Sequence, residues 1–410
     1  MRRPPHLQQT NKRRETHMTT TLANEAALPQ RASNVMPGGN TRSTVHVPPH
    51  PPYAASGQGA EVVDEDGHSV IDCNNNYTSL IHGHAKAEIL DAAFRAARQG
   101  TAFGLPTKYE VEMAESLADR TGIQQWRFCN SGTEAVLMML RAARAHTGRD
   151  LVIRFEGSYH GTGDEVSGQG TPGLPPSARQ SVIVLPQGDL QALTDTMRRI
   201  GDKTAAILID LMPNRAGLRP AEPEFVSELR RLADQYGALL AVDEVISLRL
   251  HWGGFHKNYG IDPDLISAGK IIGGGFPAGA IGGRANVLKS FRPGRERSVM
   301  WGGTFTANPV TMAAGLTAMR LYDKAAVEAL NSAGDRLRVQ LRSAGVPVNG
   351  HGSLLRIQTP DMRSLWWKLY NEGVLAGTNG LLALSTAMSE DQLLRIRDIV
   401  ITSVNGESTP

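Results

Sequence analysis

Cysteine is scarce: Cys73 and Cys129 are the only two in 410 residues. That is too few for a disulfide framework or a thiolate metal cluster. Each lies in or beside an apolar segment, as the buried thiol of a cytoplasmic protein would. No apolar run approaches the length of about 18 residues that a membrane span needs. The N-terminus lacks a signal peptide's apolar centre. Charge of one sign is also missing from the body of the chain. The first 20 residues carry Arg2, Arg3, Lys12, Arg13 and Arg14 against Glu15 alone, a net +4 beside a total of +3. The basic character therefore belongs to a leader read as disordered, with Met18 as an alternative start, and it does not describe a nucleic-acid surface. No DNA-binding helix pair, internal repeat or low-complexity tract accompanies it. His82-Gly83-His84 and the segment His46 to His50 offer no matching third ligand. They read as turn or surface histidines, so no metal site is expected.

What is present is a regular alternation. Apolar runs at Trp126 to Cys129, Leu151 to Phe155, Val182 to Leu185, Ala205 to Leu211, Leu239 to Val242 and Leu265 to Ala268 read as strands. Helical spacing lies between several of them, notably Glu134 to His146 and Glu222 to Tyr236. Continuous apolar strands separated by helices predict an α/β fold with a mostly parallel sheet covered on both faces. Upstream, Arg31 to Met36 reads as a short helix stopped by Pro37-Gly38-Gly39. Glu61 to Asp72 reads as a hairpin, and Ala87 to Arg98 as a helix ended by Gly100. Helical spacing resumes after Asn308. The expected organisation is a leader at 1–28, the start of a small domain at 29–75, a large domain at 76–310 and a smaller α+β part at 311–410.

Lys270 carries the most chemical information. It follows the apolar run to Gly269 and precedes Ile271-Ile272-Gly273-Gly274-Gly275. A lysine at a strand end, partly desolvated, has an amine suited to Schiff-base chemistry. Upstream, the run Ala238 to Val242 ends in Asp243-Glu244-Val245. A carboxylate at one strand end and an amine at another are what pyridoxal phosphate needs, for its ring nitrogen and its aldehyde. Asn130-Ser131-Gly132-Thr133-Glu134 joins a strand to a helix and offers hydroxyls, close backbone approach and the helix's free N–H groups. That makes a phosphate seat, although an ordinary N-cap box has the same letters. Tyr159-His160 sits in a glycine-flanked loop after a strand, where an aromatic can stack on a flat ring. Gly302-Gly303-Thr304-Phe305 adds a hydroxyl and open backbone. The run Gly273 to Gly279 lacks the Gly-x-Gly-x-x-Gly spacing of a dinucleotide loop, and Lys270 is not a P-loop lysine.

Together these segments resemble the class III aminotransferases of PLP fold type I, across residues 30 to 405. Within that class they are similar to glutamate-1-semialdehyde aminomutase and the β-amino acid (β-phenylalanine) aminotransferases. The stretch Met36-Pro37-Gly38-Gly39-Asn40-Thr41-Arg42-Ser43 looks like the latter group's Pro-Gly-x-Asn-Ser-Arg-Ser. The resemblance implies a large domain with a seven-stranded sheet, a smaller α+β domain built from both ends of the chain, and a homodimer. It implies that Lys270 bonds the cofactor and shuttles a proton, that Asp243 keeps the ring nitrogen protonated, and that Val245 and Tyr159 cover the two ring faces. Ser131, Gly132 and Thr133 would hold the phosphate with Thr304 of the neighbouring subunit, beside His160. Arg42 would grip a substrate carboxylate, which lysine could not do in bidentate fashion. The implied partners are a small amine or amino acid and a keto acid, with no nucleic acid and no membrane.

Two departures mark the substrate side. Where the family has Glu-Pro-x-x-Gly, this chain has Asp210-Leu211-Met212-Pro213-Asn214-Arg215. Where β-amino acid aminotransferases have an arginine for the acceptor's carboxylate, it has Gly377-Thr378-Asn379-Gly380-Leu381. Met212 and Arg215 are therefore expected on the substrate side, with Arg215 as the substitute cation. The alternative is an aminomutase or racemase that needs no keto-acid acceptor.

Overall fold

The computed structural model describes residues 27–168, 170–294 and 298–406. The expected basic leader lies outside the described residues, apart from its last two positions. Two compact units meet in sequence between Tyr53 and Ala54.

In the first unit, helix α1 (Leu28–Val35) has proline in its first turn, where the missing N–H is no loss. It starts three residues earlier than the expected Arg31 for that reason. Short 3-10 turns follow at Pro37–Gly39 and Ser43–Val45, with Arg42 just before the second. The Tyr53 hydroxyl donates to the Gly39 carbonyl at 2.7 Å and closes this unit on itself.

The second unit is built on a seven-stranded sheet. Its strands are β4 (Gln125–Cys129), β5 (Leu151–Phe155), β6 (Val182–Leu185), β7 (Thr204–Ile209), β8 (Leu239–Asp243), β9 (Leu265–Gly269) and β10 (Gly279–Gly283), in the order β4-β10-β9-β8-β7-β5-β6. All run parallel except β10, which is antiparallel to both neighbours. Residues alternate between faces along each strand. On β7, Ile207 and Ile209 enter one core with Phe155, Phe225 and Leu229, and Ala206 and Leu208 enter the other with Ala135, Met139 and Ala143. Both faces are buried, as continuous apolar strands require. The run expected as a strand to Leu211 stops at Ile209, because the Asp210 carboxylate accepts the Met212 N–H at 2.9 Å and turns the chain. Strand β10 was hidden in the sequence by its glycines. One of them, Gly279, lies so close to the Ser131 carbonyl that a Cβ would sit 2.1 Å from that oxygen.

Earlier strands β1 (Ala54–Gln58), β2 (Glu61–Asp64) and β3 (Ser69–Asp72) form a second sheet, completed by β13 (Val374–Leu375) pairing parallel to β3. A third sheet joins β11 (Val348–His351), β12 (Leu354–Ile357) and β14 (Leu381–Ala383). His82 is no surface histidine: it is 5% exposed, with its ring nitrogens on Thr386 Oγ1 and the Ala318 carbonyl. No metal-binding group of side chains occurs among the described residues.

Candidate active site

Because β4, β5, β7, β8 and β9 run the same way, their carboxyl ends and the loops after them share one edge of the sheet. The chemistry-bearing residues lie there. Asp243 ends β8 and Gly269 ends β9, with Lys270 next. Lys270 holds a left-handed backbone at φ +51°, a conformation costing a non-glycine residue about 1 kcal/mol or more. The chain thus turns sharply at the lysine, out of an extended strand and into a 3-10 turn.

The Asp243 carboxylate is held through both of its oxygens. Oδ2 accepts from His160 Nδ1 at 2.7 Å, and Oδ1 accepts from Ser267 Oγ at 2.8 Å and the Val245 N–H at 3.1 Å. Burial pushes this carboxyl up, but the His160 and Ser267 bonds outweigh it and hold the group below the usual carboxylate range. His160 is 1% exposed, and its Nε2 has no hydrogen-bond partner. At the adjoining strand end stands Asp210, buried, which sequence reasoning took only as a departure from a motif. Burial and the neighbouring Asp243 charge raise its pKa to about 7. Two carboxyls side by side are thus driven in opposite directions.

Close approach brings the anion seat to this floor. A Cβ on Gly132 would lie 2.9 Å from Val245 Cγ1, and one on Gly269 would lie 3.3 Å from the same atom. Val245 therefore fills the space between the helix start and the lysine turn. Gly161, at φ +97°, lies where a Cβ would come within 2.6 Å of Thr133 Oγ1, which also accepts the Thr162 N–H at 3.3 Å. Helix α2 (Gly132–Thr147) begins here, so the N–H groups of Gly132 and Thr133 have no intrahelical acceptor. Ser131 does make the ordinary cap, accepting the Glu134 N–H at 3.2 Å, while Glu134 accepts the Asn130 N–H at 2.6 Å. Cap and anion seat coexist, because capping uses the third N–H and leaves the first two.

Tyr159 is 39% exposed, and the Arg215 guanidinium lies 3.9 Å from its ring centroid. Met212 is buried in the apolar core beside Phe155 and Phe225. Thr304 is exposed, in a loop that shares a groove with Phe103, Leu105 and Phe305. Arg42 belongs to the first unit.

Sequence reasoning missed three features. Glu244, wholly buried, accepts from the Phe255 and His256 N–H groups and from His256 Nδ1, and so shapes the loop after Val245. Asn75, Asn76, Tyr77 and Thr78 are four consecutive left-handed residues. None is glycine, and the available signal was the asparagine run Asn74 to Asn76, since asparagine tolerates this conformation. Arg356, on β12, reaches the loops of both departures. Its Nε donates to the Asn379 carbonyl at 3.0 Å, and its Nη1 donates to the Asn214 carbonyl.

The donor set suits pyridoxal phosphate: a buried ionised acid for a pyridinium, an amine at the next strand end, and helix N–H groups for a phosphate. Comparison with known proteins gives the same family. Residues 44–389 match the family model of the class-III aminotransferases. The chain is 42% identical to an omega-transaminase from Sphaerobacter thermophilus, covering 92% of this chain and 96% of that one with a TM-score of 0.88. It is 34% identical to a β-phenylalanine aminotransferase from Variovorax paradoxus, covering 96% of each chain with a TM-score of 0.87. A glutamate-1-semialdehyde 2,1-aminomutase from Methanothermobacter thermautotrophicus is 38% identical over 324 residues, 76% of this chain and 77% of its own. The chain belongs to the class-III aminotransferase family: it is an α/β, PLP fold type I transaminase that uses pyridoxal 5′-phosphate.

Proposed function

We propose that this transaminase moves an amino group between a β-amino acid, or a similar amine bearing a carboxylate, and a keto acceptor. The observation that carries the reading is the pairing of Asp243, ionised and buried, with Lys270 at the adjacent strand end. When bound, the cofactor draws off the electrons of the bond broken at the amine-bearing carbon and carries the amino group between two substrates. Lys270 supplies the amine that anchors it and then moves the substrate proton. Asp243, oriented by His160 and Ser267, answers the charge of the ring nitrogen. Val245 and Tyr159 cover the ring faces. Ser131, Gly132 and Thr133 hold the phosphate at the start of α2. Arg42 takes the donor's carboxylate, and Arg215 with the Met212 loop borders the substrate.

The β-phenylalanine aminotransferase neighbour supports the donor class. The test is a half-reaction screen of holoenzyme with β-amino acids, α-amino acids and simple amines, read from the cofactor's absorbance. Best reaction with amines that lack a carboxylate rejects the Arg42 assignment.

A second reading, an aminomutase or racemase, is favoured by the absence of arginine at Gly377 to Leu381 and by the aminomutase relative. Turnover undiminished without any keto acid establishes it over the first. We also infer a homodimer, with Thr304 reaching the neighbouring subunit's phosphate. Phe103, Leu105, Met300 and Phe305 are 50%, 77%, 86% and 62% exposed around that loop, an apolar surface that a partner subunit would cover. Two buried free thiols, Cys73 and Cys129, support a cytoplasmic location.

A further inference from the structure

We propose that Arg356 binds the carboxylate of the amino acceptor; this inference rests on the transaminase reading above. Three observations carry it. Arg356 is half-buried, yet no Asp or Glu pairs with it among the described residues. A partly desolvated guanidinium is ordinarily answered by an anion, and backbone carbonyls satisfy its hydrogen bonds without neutralising its charge. Its Nη2 meets no acceptor among the described residues and is not sealed in the interior. One edge of the fork is thus left for a ligand.

One of its contacts is with a loop at the sheet edge that carries the site. Nη1 holds the carbonyl of Asn214, in the loop that leaves β7 at Asp210. The next residue, Arg215, lies over Tyr159, whose neighbour His160 is bonded to Asp243. A Cβ on Gly157 would lie 2.5 Å from Ala216 Cβ, so this loop is packed against the Tyr159 loop. On its other side, Nε holds the carbonyl of Asn379, beside Thr378, whose hydroxyl is 2.9 Å from the Tyr77 hydroxyl. Tyr77 is brought there by the left-handed run Asn75 to Thr78. Directly across the strand pair from Arg356 is Leu381. The cation therefore stands on β12, opposite Leu381, and is held between the loop after β7 and the loop before β14.

The experiment starts from enzyme loaded with pyridoxamine 5′-phosphate and measures single-turnover rates with pyruvate and with acetaldehyde, which lacks the carboxylate. The readout is the ratio of the two second-order constants. A local collapse that slows both acceptors alike leaves this ratio in place. Arg356→Gln is expected to lower it by about 10- to 100-fold, the range for losing a partly exposed Arg–carboxylate pair. Arg356→Lys, which keeps the cation without the fork, is expected to fall between. A ratio unchanged in both variants overturns the proposal, as does a fall seen in Arg215→Met and not in Arg356→Gln. Wild-type enzyme in the pyridoxamine form that reacts with none of pyruvate, oxaloacetate and 2-oxoglutarate rejects the keto-acceptor reading above, and does so before any variant is made.

Discussion

His160 Nδ1 and Asp243 Oδ2 meet at 2.7 Å with both side chains buried, and this bond keeps the Asp243 carboxyl ionised against the cost of burial. The consequence has a sign. A carboxyl with a depressed pKa keeps its charge down to low pH and is neutralised only as pH falls through that value. His160→Ala removes one donor, so the Asp243 pKa rises and the acid limb of activity moves to higher pH. A pH profile of kcat/KM checks it. We expect the limb to shift upward and kcat/KM at neutral pH to drop about 10- to 100-fold, the scale of losing one hydrogen bond to a charged group. An unshifted limb contradicts the role given to His160.

Asp210 behaves in the opposite direction. Its pKa is raised to about 7 from an ordinary 3.8. Between about pH 4 and 7 the folded chain therefore keeps a proton that the unfolded chain has released. The contribution of Asp210 to stability falls as pH rises through that window and levels off above it, by a few kcal/mol at most. Asp210→Asn removes this slope. Urea unfolding of apoprotein at pH 5 and pH 8 should show the variant gaining on wild type at the higher pH. Parallel behaviour at both values contradicts the assignment.

Gly132 is a packing requirement. A methyl there meets Val245 Cγ1 at 2.9 Å. Gly132→Ala should lower stability by about 1–3 kcal/mol, the usual range for overpacking, and weaken cofactor retention. Adding Val245→Ala should recover most of the stability, since the clash is with that side chain. Denaturation of the two single variants and the double variant measures the coupling. Strict additivity would falsify the contact as the cause.

These particulars show what the sequence could tell. Asp243 and Lys270 stood out because each closes a buried apolar strand, and the break from apolar to charged is visible in the letters. The seat at Ser131 to Thr133 was visible for a similar reason: a strand, a small-residue turn and a helix follow in order. Arg356 gave no such signal. One charged residue in a short strand near the chain's end reads as an outward-facing position until Asn214 and Asn379 are seen to converge on it. The left-handed run at Asn75 to Thr78 was only half legible: asparagine favours that conformation, but Tyr77 and Thr78 do not. Strand β10 gave no strand signal, since glycine is normally depleted in strands. Here the bare backbone is what admits the Ser131 carbonyl.

Assembly is open to a direct test. Leu105 is 77% exposed beside Phe103, Phe305 and Thr304. If that surface is covered by a second subunit, Leu105→Asp should weaken the dimer and, with it, phosphate holding. Sedimentation equilibrium alongside a cofactor titration is expected to show dissociation and a rise in the Kd for pyridoxal phosphate together. A variant that stays dimeric with unchanged Kd would place the interface elsewhere.

The decisive measurement is the site of covalent attachment. Holoprotein reduced with borohydride and digested should yield one peptide bearing a pyridoxyl group, on Lys270, and Lys270→Ala should yield none and lose transamination. A tag on any other lysine, or full activity in Lys270→Ala, contradicts the account.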